Sequence, residues 1–280
     1  MPLVQGRAAA AGTTGVSRVA PLWVKPALFR APWQKWLFIG LALGYLVWAT
    51  GSVDVNWARV SEGLVRAARF LQGFLAPDFR SRGEDIWIGL QESITMTITA
   101  TVAGVLLSVP FGLGAARNIA PVPVYFFCRG FIALSRSFQE VLIAIFLVAL
   151  FGFGPFAGFL TLTVSTIGFL GKLLAEDIEE ADPRCIEAIR ATGAGWWHVV
   201  VYAVWPQVLP RLVGLSVYRF DINFRESAVV GIVGAGGIGG TLNTAMDRYE
   251  YDSAAAMLII IILIVLATEY SSGYIRRRVQ

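Results

Sequence analysis

The chain has 280 residues, of which 56% are hydrophobic and 15% are charged, with a formal net charge of +4. Its mean hydropathy of +0.65 is too high for an ordinary soluble domain and is typical of a protein that crosses a membrane several times. The composition therefore argues against a water-soluble enzyme, and we expect no nucleic-acid partner.

Long apolar runs predict about six transmembrane helices, because about 20 apolar residues span the hydrocarbon core of a bilayer. The run 141–171 is long enough for two spans and is divided by the turn-forming residues 152–155. The other spans are predicted at 36–53, at 93–116, from about residue 206 onward, and at 254–268. We therefore expect an all-α polytopic protein with no room for a soluble catalytic domain.

The first 35 residues contain scattered prolines and basic side chains and lack the apolar core of a cleavable signal peptide, so we expect a disordered cytoplasmic tail at 1–35. With the N-terminus inside, the predicted cytoplasmic segments hold twelve Lys and Arg residues and the external segments hold six. This bias favours cytoplasmic N- and C-termini.

An external loop at 55–85 is predicted after the first helix at 36–54. Four apolar residues repeat there at helical spacing with three arginines between them: Val60, Leu64, Leu71 and Leu75 with Arg59, Arg66 and Arg69. This pattern predicts an amphipathic helix, which would either lie on the membrane surface or serve as a docking or anion-steering surface.

Polar residues open the second predicted span. They are Glu92, Thr95, Thr97, Thr99 and Thr101. Threonine hydroxyls can bond to carbonyls of the preceding turn, so packing is the simpler interpretation and a pore-facing role is the alternative.

A polar segment lies between the fourth and fifth predicted spans. Asp182 is a good N-cap, Pro183 suits the first helical position, and Gly193 allows a left-handed cap after about two turns. These residues predict a short, capped helix, followed by Pro206 where the fifth span begins.

The spacing of this segment resembles a known family. Glu187-Ala188-Ile189, Gly193 and Trp205-Pro206 are similar to the EAA–Gly–Leu-Pro loop of inner-membrane permeases of binding-protein-dependent ABC transporters. Three positions depart from that pattern: Ile189 stands for alanine, Ala203 for isoleucine and Trp205 for leucine.

The resemblance implies an ABC importer type I permease fold in which residues 182–206 form a coupling loop that sits in a groove of a separate ATPase subunit. Ala188 would let two backbones approach closely, and Glu187 would accept charge-assisted hydrogen bonds. The alternative is an ordinary cytoplasmic loop. The coupling residues that the resemblance implies are Glu187, Ala188, Arg190, Gly193 and Pro206.

Three further stretches, 151–160, 168–180 and 226–239, are similar to permeases of phosphonate transporters. Arg136-Ser137 also fits that group, whereas Gln139 stands where a proline is common. The resemblance covers residues 85–275, and the permease core is expected at 86–275.

This second resemblance implies a permease in the bacterial inner membrane that has no enzyme activity and no cofactor. The cargo would be a phosphonate or a related small phosphorus oxyanion such as phosphite. The implied partners are a second permease subunit, most simply an identical one, two cytoplasmic ATPase subunits and an extracytoplasmic solute-binding protein.

Polar residues also interrupt the fifth predicted span. They are Arg219, Asp221, Asn223, Arg225 and Glu226. Ionisable groups at membrane depth are costly and usually face a bundle interior or an aqueous path. Either salt bridges lock this span to its neighbours, or Arg219 and Arg225 line a translocation pathway and bind an oxyanion through their planar forks.

Residues 234–239 match the dinucleotide-binding pattern G-x-G-x-x-G, but no second strand follows and a βαβ unit cannot form. Dense glycine within a membrane indicates close helix packing or a broken segment that lines a cavity. We therefore interpret Gly234, Gly236, Gly237 and Gly239 as a candidate gate.

No metal site or catalytic centre is predicted. Cys128, Cys185 and His198 are assigned no role, because they have no partner ligands at metal spacing. An integral membrane enzyme would need clustered acid–base or metal ligands, and a passive channel would not need the Glu187 loop. A permease for a different solute is the nearest alternative.

Overall fold

The computed structural model describes residues 32–52 and 57–279, and this part of the chain is helical with no strand. The chain divides into two units, Met1–Glu62 and Gly63–Gln280. The helices are α1 (Pro32–Gly51), α2 (Trp57–Leu75), α3 (Gly83–Ala115), α4 (Val122–Ser137), α5 (Glu140–Phe151), α6 (Pro155–Glu179), α7 (Pro183–Ala191), α8 (Trp196–Val199), α9 (Trp205–Val230), α10 (Gly237–Asp247) and α11 (Tyr251–Val279). The predicted all-α fold is confirmed.

The N-terminal part contains two helices where the sequence predicts them. α1 covers most of the predicted first span 36–53 but is not among the described helices that are long and apolar enough to cross a membrane. α2 covers the predicted amphipathic helix. The apolar positions of α2 are exposed, from 44% at Val60 to 85% at Leu75. The predicted tail 1–35 lies outside the described residues except for 32–35, which begin α1.

Four helical segments in the described residues are long and apolar enough to cross a membrane. They are Gly83–Ala115, Pro155–Glu179, Trp196–Ala235 and Tyr251–Tyr274. The pair α4 and α5, bent by 99°, adds a fifth if it is one span. The sequence predicted that the third span begins at residue 141 and ends before the turn 152–155, whereas α5 has 12 residues and at about 1.5 Å per residue is too short to cross alone.

Helices α3 and α6 form the centre of the second unit. A Cβ built on Gly104 would lie 2.5 Å from the Thr166 side chain, and one on Gly112 would lie 2.8 Å from Leu174. Small residues two turns apart on α3 therefore let the backbones approach, as in many membrane helix pairs.

The predicted fifth span begins about ten residues earlier than expected, because α8, a π-helical turn at Val200–Val204 and α9 form one continuous helix. Pro206 has no N–H to donate to the carbonyl four residues earlier. The π-helical turn accommodates it: the N–H of Trp205 bonds to the carbonyl of Val200, one residue further back than in an α-helix. Pro206, which in the sequence predicted the start of a helix, therefore lies inside a longer helix.

Candidate functional site

Helix α7 begins and ends as predicted. Oδ1 of Asp182 accepts a hydrogen bond of 2.9 Å from the backbone N–H of Arg184, and Pro183 is the first helical residue. After Ala191 the chain turns at Gly193, whose φ of +80° lies in the left-handed region that glycine favours. The caps fix a nine-residue helix of defined shape.

One face of α7 is anchored in the bundle and the other is exposed. Ile186 is only 8% exposed, and Ile189 is half-buried against the same residues. Glu187, Ala188 and Arg190 lie on the exposed face. We call the buried set beneath the helix the α7 cluster: Ala116, Leu174, Ile178, Ile186, Val199, Ala203, Val204, Val208 and Leu212.

The three positions that depart from the family pattern meet in this cluster. Ala203 is a buried member, while Ile189 and Trp205 pack against it. Residues 189 and 205 are larger than the family residues and residue 203 is smaller, so the volume lost at residue 203 is offset by its larger neighbours. All three departures lie on the side of α7 that packs against the bundle.

Polar side chains tie the start of α7 to α9. The Gln207 side chain accepts a 3.0 Å hydrogen bond from the N–H of Asp182 and donates a 2.6 Å bond to the Ala203 carbonyl. Arg211 lies 2.7 Å from the buried carboxylate of Asp177 on α6. The bond between Asp182 and Gln207 therefore couples a displacement of α7 to the first turn of α9 in addition to packing, and the Arg211–Asp177 pair joins α9 to α6.

A buried polar network surrounds Arg219 of α9. This side chain is 3% exposed and donates hydrogen bonds to the hydroxyls of Ser165 at 2.6 Å and Thr166 at 3.2 Å. The Ser165 hydroxyl donates to Glu140 Oε1 at 2.7 Å, and the same oxygen lies 3.7 Å from Arg219 Nη2. The network joins α5, α6 and α9.

Asn223 extends this network to α3. Its side-chain amide is fully buried and donates to the hydroxyls of Thr101 at 2.9 Å and Thr166 at 3.0 Å. The threonines of the second predicted span thus have different hydrogen-bond partners. Thr101 belongs to the network, whereas the Thr99 hydroxyl donates to a carbonyl of its own helix at 2.7 Å. Thr97 is buried with no hydrogen-bond partner for its hydroxyl among the described residues.

Two other polar residues of the fifth span, Asp221 and Arg225, lie on a different side of α9. Asp221 is buried and pairs with Arg225 at 2.6 Å, one turn later on α9. The Thr268 hydroxyl of α11 donates to Asp221 at 3.0 Å. Glu226 is half-buried. The structure therefore brings Arg219 and Asn223 together against α6, whereas Asp221 and Arg225 connect α9 with α11.

The glycine-rich segment is broken, as the sequence predicts. After the π-helical turn Gly231–Ala235, Gly234 and Gly236 have φ values of +96° and +76°. The N–H of Gly154, between α5 and α6, donates to the Gly234 carbonyl at 3.0 Å, and a Cβ on Gly236 would lie 2.7 Å from the Pro155 nitrogen. Two glycine-rich turns distant in sequence are thus packed together.

Two side chains of α3 hold the start of α10. Glu92 accepts a hydrogen bond from the N–H of Gly237, and Ser93 accepts one from Ile238, both at 2.9 Å. These N–H groups have no partner within their own helix, and a carboxylate is favoured at the positive end of the helix dipole. Gly239 lies against the backbone of α9, where no side chain fits. Glu92 therefore has a structural partner that the sequence did not reveal.

Sequence reasoning missed Glu140, Ser165 and Thr166. Glu140 is the only acidic residue between positions 93 and 175. A single acid beside a long apolar run is the signal that could have marked it, because such groups need a partner at membrane depth. Its partner, Arg219, lies 79 residues away and is not predictable from spacing.

Comparison with protein families matches residues 108–280 to the family "binding-protein-dependent transport system inner membrane component". The chain is 38% identical over 241 residues to the phosphate-import permease protein PhnE of Mycolicibacterium smegmatis. That alignment covers 86% of this chain and 45% of the relative, so the chain spans about half of that protein. It is also 35% identical over 250 residues to the phosphite transport system permease protein PtxC of Stutzerimonas stutzeri, covering 88% and 90% of the two chains.

Solved structures share the fold. An inward-facing crystal structure of the MetNI methionine ABC transporter aligns with a TM-score of 0.59 at 23% identity, over 70% of this chain and 98% of that one. An amino acid ABC transporter crystallised with histidines aligns with a TM-score of 0.59 at 19% identity, over 72% and 98%. At these identities the likeness establishes the fold alone.

Proposed function

Because this chain belongs to the family of inner membrane components of binding-protein-dependent transport systems, we propose that it is the permease subunit of an ATP-driven importer. Two copies, most simply identical, would form the translocation pathway. Two cytoplasmic ATPase subunits would supply the energy, and an extracytoplasmic binding protein would deliver the cargo. The observation that carries the proposal is α7, a capped helix with an exposed Glu187 and a buried underside.

The proposed cargo is a phosphonate or a related small phosphorus oxyanion. Two relatives that align over most of this chain are named for the transport of phosphate and of phosphite, which are anions of this class. The stretches 151–160, 168–180 and 226–239, which resemble phosphonate permeases, include both packed glycine turns. The support for the cargo therefore comes from relatives that align over most of the chain and from stretches outside α7.

The coupling mechanism follows from how α7 is anchored. Contact with an ATPase would be made by Glu187 and Ala188, with Arg190 on the same exposed face. A push on α7 would pass through Ile186 and the α7 cluster to the 40-residue helical segment Trp196–Ala235. Because packed interfaces shift between discrete arrangements, movement at one end of this segment would change packing at the other.

The far end of that segment leads into the proposed gate. Gly234, Gly236, Gly237 and Gly239 lie where α9 gives way to α10, against the turn at 152–155. With α7 on the cytoplasmic side, as the charge bias favours, this break lies toward the outside. The pathway would then open outward when the two glycine turns separate and inward when they close.

The experiment that tests the proposal is charge reversal at Glu187. The permease with Glu187→Lys is co-expressed with its candidate ATPase, and we measure co-purification and ATP hydrolysis stimulated by the loaded binding protein. We expect both to fall about 10-fold or more, because a charge-assisted hydrogen bond contributes about 1.5–3 kcal/mol and the substitution places a cation there.

Glu84→Lys is the matched control. Glu84 is an exposed glutamate in the first turn of α3, far along the chain from α7. The control should bind the ATPase normally. If Glu187→Lys leaves ATPase binding and stimulated hydrolysis intact, the importer interpretation of α7 fails.

A further inference from the structure

A polar cleft opens between α4, α5, α6 and α9, beside the Arg219 network. Its volume is ≈ 400 Å³, which is within the range of small-molecule sites. We call it the α5–α9 cleft, and it is lined by Ser135, Arg136, Phe138, Gln139, Glu140, Ser165, Phe169 and Arg219.

The hydrogen-bond donors of this cleft outnumber its charged acceptors. Arg219 is buried in its wall, and its guanidinium is 5.4 Å from the ring centroid of Phe169. Arg136 also lines the cleft, is exposed, and has no hydrogen-bond or ion-pair partner among the described residues. Among the residues that line the cleft, two guanidinium groups therefore face one carboxylate, that of Glu140, and the lining carries a net positive charge. Glu226 also interacts with Arg219 but does not line the cleft.

The bend between α4 and α5 adds a further positive element. The helices meet at 99°, and the cleft includes Phe138, Gln139 and Glu140, the residues at which α5 begins. The start of a helix carries partial positive charge and backbone N–H groups without helical partners. In transporters built on interrupted helices, such helix starts point toward anionic groups of the substrate.

Glu140 is the one carboxylate among the residues that line the cleft. Its Oε1 accepts a hydrogen bond from Ser165, the same hydroxyl to which Arg219 donates, and lies 3.7 Å from Arg219. The distance to Arg219 exceeds that of a direct charge-assisted hydrogen bond, which is about 2.7–2.9 Å. The carboxylate neutralises the arginine without saturating its donors.

We propose that the α5–α9 cleft binds the phosphorus oxyanion during translocation, with Arg136 and Arg219 as donors and Glu140 as an internal counter-ion that the cargo displaces. This inference rests on the proposed function and deepens it. Displacement by a tetrahedral anion exchanges one negative group for another, so Arg219 never remains buried without compensation. Arg136 would supply a bidentate contact that Glu140 does not use.

The proposal assigns different roles to the two arginines of α9. Arg219 belongs to the cleft, whereas Arg225 pairs with Asp221 at 2.6 Å, and that carboxylate is bound by Thr268 of α11. Arg225 does not line the α5–α9 cleft. Removal of Arg225 should therefore affect the stability of the protein and leave anion binding unchanged.

Charge-selective thiol labelling tests the cleft without relying on transport. Gln139→Cys is introduced into the full chain with Cys128→Ser and Cys185→Ser, and the protein is reconstituted in lipid nanodiscs. We compare the reaction rates of this introduced thiol with a sulfonate-bearing and a trimethylammonium-bearing methanethiosulfonate. The reference is Cys185, exposed on α7, in a chain with Cys128→Ser.

We expect the introduced thiol to favour the anionic reagent by roughly 5-fold or more relative to the reference thiol, because a cleft with one sign of charge concentrates counter-ions. Phosphite or methylphosphonate should slow the labelling of the introduced thiol, and sodium chloride at equal ionic strength should not. Arg136→Gln should remove most of the preference and the protection. Since Arg219→Gln can destabilise the fold, Arg219→Lys is measured beside it. The lysine retains the positive charge, so this variant should keep part of the preference for the anionic reagent, but phosphite and methylphosphonate should no longer slow its labelling.

Glu140→Gln should have the opposite effect to Arg136→Gln. Because the counter-ion is removed, phosphite or methylphosphonate at a fixed concentration should slow the labelling more strongly than in the parent. Arg225→Gln is the matched control and should label as the parent does. Equal rates for both reagents, or labelling that neither phosphite nor methylphosphonate slows, would overturn the cleft proposal. If Glu187→Lys still abolishes ATPase binding and stimulated hydrolysis in that case, only the cleft proposal is overturned and the proposed function stands. If instead Glu187→Lys has no effect on the ATPase, the proposed function is overturned.

Discussion

Replacement of Ile186 by alanine should release α7 from the bundle. Ile186 is 8% exposed, and its side chain is the only α7 residue among the buried members of the α7 cluster. Truncating a buried isoleucine to alanine costs about 2–5 kcal/mol. Because α7 has only nine residues and can partly relax, we expect about 2–3 kcal/mol here.

Such a loss translates into a measurable change in local opening. Each 1.36 kcal/mol is a factor of ten, so the open population of α7 should rise about 30- to 150-fold. The assay is amide hydrogen exchange of the full chain in nanodiscs, followed by mass spectrometry. The amides of α7 should exchange faster while those of α3 and α6 keep their rates, because α7 can open locally. In the assembled transporter the variant should hydrolyse ATP with reduced cargo uptake.

Ile132→Ala is the matched substitution. Ile132 is 3% exposed and lies in a separate buried cluster with Ala115, Cys128 and Ala175. Its truncation should weaken the packing of α4 and leave the exchange of α7 unchanged. Unchanged exchange of α7 in Ile186→Ala, or equal acceleration in both variants, would refute the view that Ile186 anchors this helix.

Two other variants test the glycine break and the ion pair of α9. Gly236→Ala should lower the thermal unfolding midpoint in detergent, because its φ is +76° and its Cβ would lie 2.7 Å from the Pro155 nitrogen. Gly240→Ala, whose Cβ would lie 3.5 Å from its nearest neighbour, should be neutral, and equal losses in the two would contradict the packing argument. Arg225→Gln should destabilise the protein by about 1–3 kcal/mol, since it leaves the buried carboxylate of Asp221 unpaired. Adding Asp221→Asn should recover much of that loss, and a double-mutant cycle without coupling energy would show that the pair contributes nothing.

Local chemistry made α7 predictable from sequence. The cap by Asp182, the proline after it and the left-handed Gly193 each depend on a few adjacent residues. The break at Gly234 and Gly236 was predictable for the same reason, since dense glycine weakens a helix wherever it lies. The spacing of Glu187, Gly193 and Pro206 also indicated the family that the comparison then established.

The third span shows where composition alone misleads. The run 141–171 contains no charged residue, so length and hydropathy predicted two spans. The structure instead pairs the 12-residue α5 with α4 at 99°, with the bend at Phe138 and Gln139 between them. A hydropathy pattern shows how apolar a segment is, but it does not predict the angle between two helices.

By itself, the sequence determined that this is an all-α membrane protein with a capped, exposed helix between two spans, because hydropathy and capping depend on neighbouring residues. Only the tertiary structure decided which polar side chains meet. It placed Glu140 beside Arg219, Asn223 beside Thr101, and Glu92 at the start of α10. The physical reason is that buried polar groups must be satisfied across helix contacts, and those contacts join residues 79, 122 and 145 positions apart.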